Sequence, residues 1–127
     1  QCVVRPARGK VAKFPYADYR RLPIHVDDIT EIFRRVLMSD EPKHDLYNSG
    51  GTTISMGDLA EMVRGYLPDA DIQFENESGG KDDSGIYLMD NSRLVDEFGI
   101  QLRPWSERVL QIINTVRAEE RKEPIER

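Results

Sequence analysis

The sequence predicts an α/β or α+β fold in which short strands alternate with about four helices. Apolar residues recur at helical spacing in segments that begin after Asp, Ser or Pro, which favour the first turn of a helix. Between these segments lie short apolar runs bounded by Gly, Pro and Asn, which are typical of strands. The variable connections argue against a regular doubly wound sheet.

The first part of the chain predicts two short strands and a loop. A β-type run over residues 2–4 is stopped by Pro6, and a second strand spans residues 22–26. Between the two, residues 7–19 mix basic residues with Phe and Pro. They are expected to form a loop with a short extended piece near Phe14.

Helix signals follow the second strand. Asp27 and Asp28 are the predicted N-cap, because a carboxylate there accepts free backbone N–H groups and suits the helix dipole. Glu41-Pro42 ends this helix. Its apolar face carries Ile29, Ile32, Phe33, Val36 and Leu37.

The middle of the chain repeats the order of strand and helix. Residues 46–48 predict a strand closed by Gly50-Gly51, and Ser55 with Asp58 resembles a capping box that opens the next helix. Residues 71–75 alternate in polarity, which predicts another strand.

The last part of the chain predicts one more strand and two helices. A loop rich in Gly, Ser and Asp over residues 76–84 is expected to be mobile, and residues 86–89 form the strand. A short helix capped by residues 90–92 ends at Gly99, and Pro104 opens the final helix.

Length and charge exclude several classes of protein. The 127 residues fit one domain spanning 1–127, with an almost wholly charged tail over residues 118–127 that is expected to fray. A net charge of −5 and a pI near 5.1 argue against a nucleic-acid partner. No apolar run approaches the roughly 20 residues that span a bilayer, which argues against a membrane protein.

Cysteine, histidine and glycine usage narrows the chemistry. Cys2 is the single cysteine, so no disulfide forms within these residues; with no signal-peptide pattern at the start, this favours a cytoplasmic location. The two histidines lie far from Cys2 in sequence and give no metal-ligand spacing. Gly50-Gly51 and Gly79-Gly80 are isolated pairs, so the sequence contains no dinucleotide-binding glycine loop.

Four segments occur in a particular order. They are Val3-Val4-Arg5-Pro6, Arg21-Leu22-Pro23-Ile24-His25-Val26-Asp27-Asp28, Leu46-Tyr47-Asn48-Ser49-Gly50-Gly51 with Ile54-Ser55, and Asp90-Asn91-Ser92-Arg93-Leu94 with Glu97-Phe98-Gly99. In this order and spacing they resemble the C-terminal part of the NAD(P)-dependent epimerase/dehydratase family, the extended short-chain dehydrogenase/reductases. The resemblance covers nearly the whole chain.

The resemblance implies a substrate-binding role and a missing half. The family's N-terminal half carries a glycine-rich cofactor loop and a Tyr-x-x-x-Lys pair for proton transfer, and neither occurs in this sequence. Residues 1–8 would be a strand remnant of the cofactor domain. We therefore expect a fragment or shortened chain that is inactive alone and binds no cofactor by itself. The parent would use NAD or NADP, and the partner would be the missing cofactor domain or a second chain.

The resemblance also suggests residues that bind a nucleotide-sugar substrate. Arg21 matches an arginine that contacts the substrate diphosphate, where a guanidinium forks two hydrogen bonds to phosphate oxygens. Arg20 replaces it if the register shifts by one residue. Alternatively, Arg21 is a solvated side chain paired with an acid such as Asp18. Lys81 lies near the place of a second phosphate-binding cation, but the matching position is closer to Gly80, and a surface lysine is the favoured interpretation.

Three further positions complete the predicted site residues. Tyr87 could line a substrate pocket. Pro6 and Ala7 follow the strand that passes the nicotinamide ring in this family, so they contact a cofactor only if the cofactor half is present. His25 is interpreted as a structural residue inside a strand rather than as a catalytic group.

Two functions of different class follow. The first is the substrate-binding C-terminal part of a sugar-nucleotide epimerase, dehydratase or related oxidoreductase, not catalytically competent alone. The alternative is an autonomous acidic α+β binding or interaction module without enzyme activity. A homodimer, or completion of an enzyme by a separately supplied half, stays open.

Overall fold

The computed structural model describes residues 1–79 and 88–126, which contain five helices and four short strands, so the predicted α/β class is confirmed. In chain order they are α1 (Val4–Ala7), β1 (Ala12–Tyr16), β2 (Arg20–Arg21), α2 (Val26–Leu37), β3 (Ile54–Ser55), α3 (Met56–Tyr66), β4 (Ile72–Asn76), α4 (Ser92–Phe98) and α5 (Trp105–Glu119). Within the described ranges, each helix falls short of the length or apolar content that a bilayer-spanning helix needs.

The strands form two small sheets. β1 and β4 pair in parallel, with Ala12 opposite Ile72, and β2 pairs with β3 in antiparallel orientation. Along β1, exposed residues alternate with more buried ones, as a strand with one covered face requires. The extended piece predicted near Phe14 is confirmed, and so is the strand predicted over residues 71–75, which is displaced by one residue.

The larger of two hydrophobic cores is shared by β1, β4, α1, α3 and α5. Val63 on α3 and Val109 and Ile113 on α5 are fully buried in it, and α3 packs against α5. Burying such a side chain contributes about 1.5–3 kcal/mol, so this contact between helices is a main source of stability. The other buried members are Cys2, Val3, Ala7, Ala12, Ala60, Ile72 and Val116.

The smaller core joins α2 to α4. Its buried residues are Ile32 on α2, Leu94 on α4 and Ile100, which follows α4. Arg35 on α2 strengthens this contact, because its Nη1 donates to the carbonyl oxygen of Phe98 at 2.6 Å. That carbonyl belongs to the last turn of α4, where no helical N–H is left to bond it.

A buried ion pair connects the two cores. Arg108 on α5 and Asp28 in the first turn of α2 are only 4% and 8% exposed. Nε and Nη2 of Arg108 donate to the two carboxylate oxygens of Asp28 in a forked arrangement. Arg108 Nη1 also donates to Asp27 and Gln111, and the Gln111 amide donates to Asp27 at 2.5 Å. The network therefore determines where α2 meets α5.

The ends of α3, α4 and α5 agree with the sequence signals. Ser55 Oγ accepts the N–H of Asp58, whose carboxylate accepts the N–H of Ser55, so the capping box is confirmed. α4 is followed by Gly99 at φ 61°, a left-handed conformation that glycine adopts without strain. α5 begins directly after Pro104.

The start of the chain is helical, so the strand predicted over residues 2–4 and extended to residues 1–8 is wrong. Val4–Ala7 form α1, which packs against α5. Val3 and Ala7 are both buried in the larger core. Residues four apart share one face of a helix, so the helical turn lets both side chains reach α5.

The second predicted strand, residues 22–26, is also wrong. In this segment, strand pairing is confined to Arg20–Arg21, and α2 begins directly after His25. His25, expected inside a strand, is the N-cap, because its Nδ1 accepts the N–H of Asp27 at 3.2 Å. Asp27 and Asp28 are therefore not the cap but lie in the first turn, where their charge still suits the helix dipole.

Two further predicted strands are not observed in the described residues. Residues 46–48 form no strand; instead Arg93 at the start of α4 donates to the carbonyl oxygen of Leu46 at 3.0 Å. Of the strand predicted over residues 86–89, residues 88 and 89 are not in a strand. The rest of it, and residues 80–84 of the predicted loop, lie outside the described residues.

The charged tail is held against the fold. Ile125 returns to α5, where the Asn114 side chain bonds both its N–H (2.8 Å) and its carbonyl oxygen (3.0 Å). Ile125 also packs against the larger core. At Ile125 these contacts argue against the predicted fraying, which stays a prediction for the rest of residues 118–127.

Replacing Arg108 by alanine is expected to lower the free energy of unfolding by about 3–5 kcal/mol, because the buried Asp28 carboxylate loses its partner. Urea denaturation followed by circular dichroism measures the change. The matched control is Arg34→Ala, since Arg34 is exposed and pairs with Glu31 within α2, where solvent screening leaves such a pair little effect on stability. Equal effects of the two substitutions would contradict the importance of the buried pair.

Cys2 gives a pH-dependent prediction. Burial raises the pKa of its thiol from 9.0 to about 11. Since the unfolded thiol ionises at lower pH, its contribution to stability is complete below pH 9 and is lost as the pH rises toward 11. At about pH 8, iodoacetamide should leave the folded thiol unmodified and label it in concentrated urea, as read by mass spectrometry. Equal labelling in both states would show that the thiol is accessible.

Candidate functional site

Arg20 and Arg21 form β2 and are both exposed. Arg20 pairs with Ser55, and Arg21 with Ile54 of β3. Successive side chains of a strand point to opposite faces, so a ligand on one face of β2 meets only one of these guanidinium groups. We call Tyr19, Arg20 and Arg21 the β2 edge.

The chain before β2 is held on two sides. The N–H of Ala17 donates to the carbonyl oxygen of Asn76 at the end of β4 (3.0 Å). The carbonyl oxygens of Ala17 and Tyr19 accept the N–H groups of Gly57 (2.8 Å) and Met56 (2.9 Å). These two donors open α3 and have no partner within the helix, so the β2 edge and the start of α3 satisfy each other's backbone groups.

Arg21 stacks on Tyr19. The guanidinium carbon lies 4.0 Å from the centre of the ring, a cation–π contact. Across residues 1–79 and 88–126, the structure records no ion pair between Arg21 and an acid. Asp18, the acid suggested as its partner, accepts the N–H of Gly79 at 2.9 Å.

This arrangement suits the binding of an anion. A guanidinium donates through N–H groups that lie in its plane and stacks on aromatic rings through its flat face. The guanidinium carbon of Arg21 lies over the Tyr19 ring. Stacking therefore leaves the in-plane donors of Arg21 able to fork onto two phosphate oxygens.

The other predicted site residues have different outcomes. Lys81 and Tyr87 fall outside the described residues. Pro6 and Ala7 are buried in α1, with Ala7 inside the larger core. They pack against this chain rather than lining an open surface, and their conditional contact with a cofactor stays a prediction.

The histidine and acids after β2 belong to the network around Arg108. The hydrogen bond from Gln111 is the main reason that the pKa of Asp27 lies below its ordinary value, and the nearby charge of Arg108 acts in the same direction. Asp28 is buried in its ion pair. These contacts support a structural role rather than proton transfer.

Sequence reasoning missed the roles of two residues. Arg108 lies between Trp105 and Ile112 at helical spacing, on the apolar stripe of α5. A cation at such a position indicates a buried acidic partner, and this signal was available. Tyr19 lies two residues before Arg21, which in an extended segment indicates a shared face.

In the described part of the chain, no group of three or more His, Cys, Asp or Glu side chains could hold a metal ion. The described residues of the β2 edge offer a cation that lies on an aromatic ring.

Comparison with known proteins supports the fold. No protein-family model and no curated protein matches the chain. Among solved structures it is similar to the crystal structure of UDP-glucose 4-epimerase with UDP-glucose from the hyperthermophilic eubacterium Thermotoga maritima. The TM-score is 0.73 at 15% sequence identity, and the match covers 94% of this chain and 38% of that chain.

At 15% identity this likeness shows the fold alone. The epimerase-like α/β fold predicted from the four segments is therefore confirmed, and the chain spans 38% of the length of that enzyme.

Proposed function

We propose that this chain is the substrate-binding, C-terminal part of an NAD(P)-dependent sugar-nucleotide epimerase, dehydratase or related oxidoreductase. The observation that carries the proposal is the unequal coverage of the fold match, 94% of this chain against 38% of the epimerase. A chain without the cofactor half agrees with this coverage, and with a sequence that has no dinucleotide-binding glycine loop.

In this proposal Arg21 binds the diphosphate of a nucleotide sugar. Its exposure on β2, its lack of a recorded acidic partner in the described residues and its stacked guanidinium all suit that role. The epimerase that the chain resembles was solved with UDP-glucose, so this is the first ligand to test.

The chain would contribute binding and orientation, not proton transfer. No tyrosine in the sequence is followed by a lysine four residues later, so the acid/base pair of the parent family would come from the other half, together with NAD or NADP. A substrate held in the correct orientation against that half is itself a large part of catalysis.

The outer side of α2 supports a missing partner. Val26, Phe33 and Leu37, which we call the outer stripe, are 67%, 61% and 77% exposed. Their spacing of seven and four residues places them on one side of the helix, whereas Ile32 on the other side belongs to the smaller core. A helix with apolar residues on two sides is typical of one that is covered on both. We place the cofactor half on the outer stripe.

The alternative function is an autonomous acidic binding module. It is favoured by the larger core, which closes within this chain. In that case a second copy covering the outer stripe would make a homodimer. A cytoplasmic location fits both functions, because Cys2 is a buried free thiol and the sequence holds no second cysteine.

Titration calorimetry with UDP-glucose tests the role of Arg21. The chain is expected to bind, and Arg21→Ala to weaken binding by about 10- to 100-fold, since hydrogen bonds to charged groups contribute about 1.5–3 kcal/mol. The matched control is Arg20→Ala, which removes the adjacent exposed guanidinium on the opposite face of β2. We expect that control to change the dissociation constant by less than about threefold.

Three outcomes would count against the proposal. Folded chain that does not bind UDP-glucose would favour the autonomous module. Equal losses in Arg20→Ala and Arg21→Ala would indicate general charge attraction instead of a site. Tight binding of NADH to the chain would show that these residues contain a cofactor site.

Substitution of the outer stripe tests whether it is a surface for a partner. Phe33→Glu combined with Leu37→Glu should leave the free energy of unfolding within about 0.5 kcal/mol, because both side chains are exposed. The control Ile32→Ala, on the buried side of α2, should cost about 2–5 kcal/mol. Urea denaturation measures both, and sedimentation equilibrium measures association.

The two measurements separate the occupants of the outer stripe. A double variant as unstable as Ile32→Ala would mean that the outer stripe belongs to the chain's own core. A dimer that dissociates in the double variant would identify a second copy of the chain as the occupant.

A further inference from the structure

We propose that Tyr19 is a positioning residue for Arg21, and that it orients the guanidinium so that the in-plane N–H groups face the diphosphate of the ligand. This inference rests on the proposed function of the β2 edge. It assigns a role to a side chain that the resemblance to the epimerase/dehydratase family does not point to.

The backbone segment that carries the ring of Tyr19 is held in place by hydrogen bonds. Its carbonyl oxygen is bonded by the N–H of Met56, and two residues earlier both backbone groups of Ala17 are bonded, to Asn76 and Gly57. These bonds attach the segment to the end of β4 and to the start of α3. A ring carried by such a segment has a defined place, unlike one at a loop tip.

Arg21 gains order from this ring. An exposed arginine samples many rotamers, and that freedom is lost when it binds a ligand. With its guanidinium carbon 4.0 Å from the ring centre, Arg21 already occupies one region before any ligand arrives. Less entropy then remains to be lost on binding.

The contact does not compete with the ligand. An arginine stacks on an aromatic ring through its flat face, which leaves its edge, where the hydrogen-bond donors lie, to a diphosphate. A carboxylate partner would occupy that same edge and have to be displaced. Stacking on an aromatic ring is therefore a way to hold an arginine in place while its donors stay available.

This mechanism requires the aromatic face of Tyr19 and not its hydroxyl. Tyr19→Phe should therefore retain the affinity for UDP-glucose, whereas Tyr19→Leu should weaken it about two- to fivefold, the range expected from an exposed cation–π contact. Titration calorimetry on folded variants measures both, with circular dichroism as the check on folding.

Binding of inorganic pyrophosphate distinguishes two roles of Tyr19, which are positioning of Arg21 and stacking on the base of the nucleotide. If Tyr19 acts through Arg21, Tyr19→Leu weakens pyrophosphate and UDP-glucose by the same factor. A loss confined to UDP-glucose would mean that the ring contacts the nucleoside, and would overturn the proposal. In the background of Arg21→Ala, Tyr19→Leu should cause no further loss, and an undiminished loss there would also overturn it.

A measurement without ligand tests the same contact. The guanidinium carbon of Arg21 lies 4.0 Å from the ring centre, so the Nε–H proton is expected to resonate upfield in the native chain and in Tyr19→Phe, but not in Tyr19→Leu. If the resonance shows no dependence on the ring, the inference is overturned. If Arg21→Ala abolishes binding and Tyr19→Leu does not weaken it, only the role of Tyr19 fails. If Arg21→Ala leaves binding unchanged, the proposed function fails as well.

Discussion

The ion pair between Asp28 and Arg108 is the contact on which the connection between the two hydrophobic cores depends. It joins α2, which belongs to the smaller core, to α5, which belongs to the larger one. Taking two charges out of water is costly, and only well-aligned donors and acceptors offset that cost. The two helices can therefore keep the pair in few other orientations. The segment that leads into β2 is held separately, by backbone hydrogen bonds to the end of β4 and to the start of α3.

Local sequence signals were reliable where the bonding partners are a few residues apart. The capping box of Ser55 and Asp58, the turn at Gly99 and the start of α5 after Pro104 are all settled by neighbouring backbone groups. The runs over residues 2–4 and 22–26 are too short to show a period. Residues 2–4 pack near α5 at the other end of the chain, a contact that no local pattern contains, and in residues 22–26 His25 caps α2.

The candidate site likewise contains residues that the sequence indicated and contacts that only the structure shows. The resemblance to a family pointed to Arg21, and the structure adds the ring beneath it. Arg108 could have been suspected from its place on the apolar stripe of α5. Its partner could not, because Asp28 lies 80 residues away in the sequence and only the packing of α2 on α5 brings the two together. Lys81 and Tyr87 stay predictions.

The two-sided character of α2 has a thermodynamic consequence. A partner that covers the outer stripe binds the folded helix and not the unfolded one, so its free concentration adds to the stability of the chain by mass action. The smaller core, with Ile32, Leu94 and Ile100 as its buried residues, shares α2 and would gain from that addition directly. The melting temperature of this chain would then report how much of its partner is present.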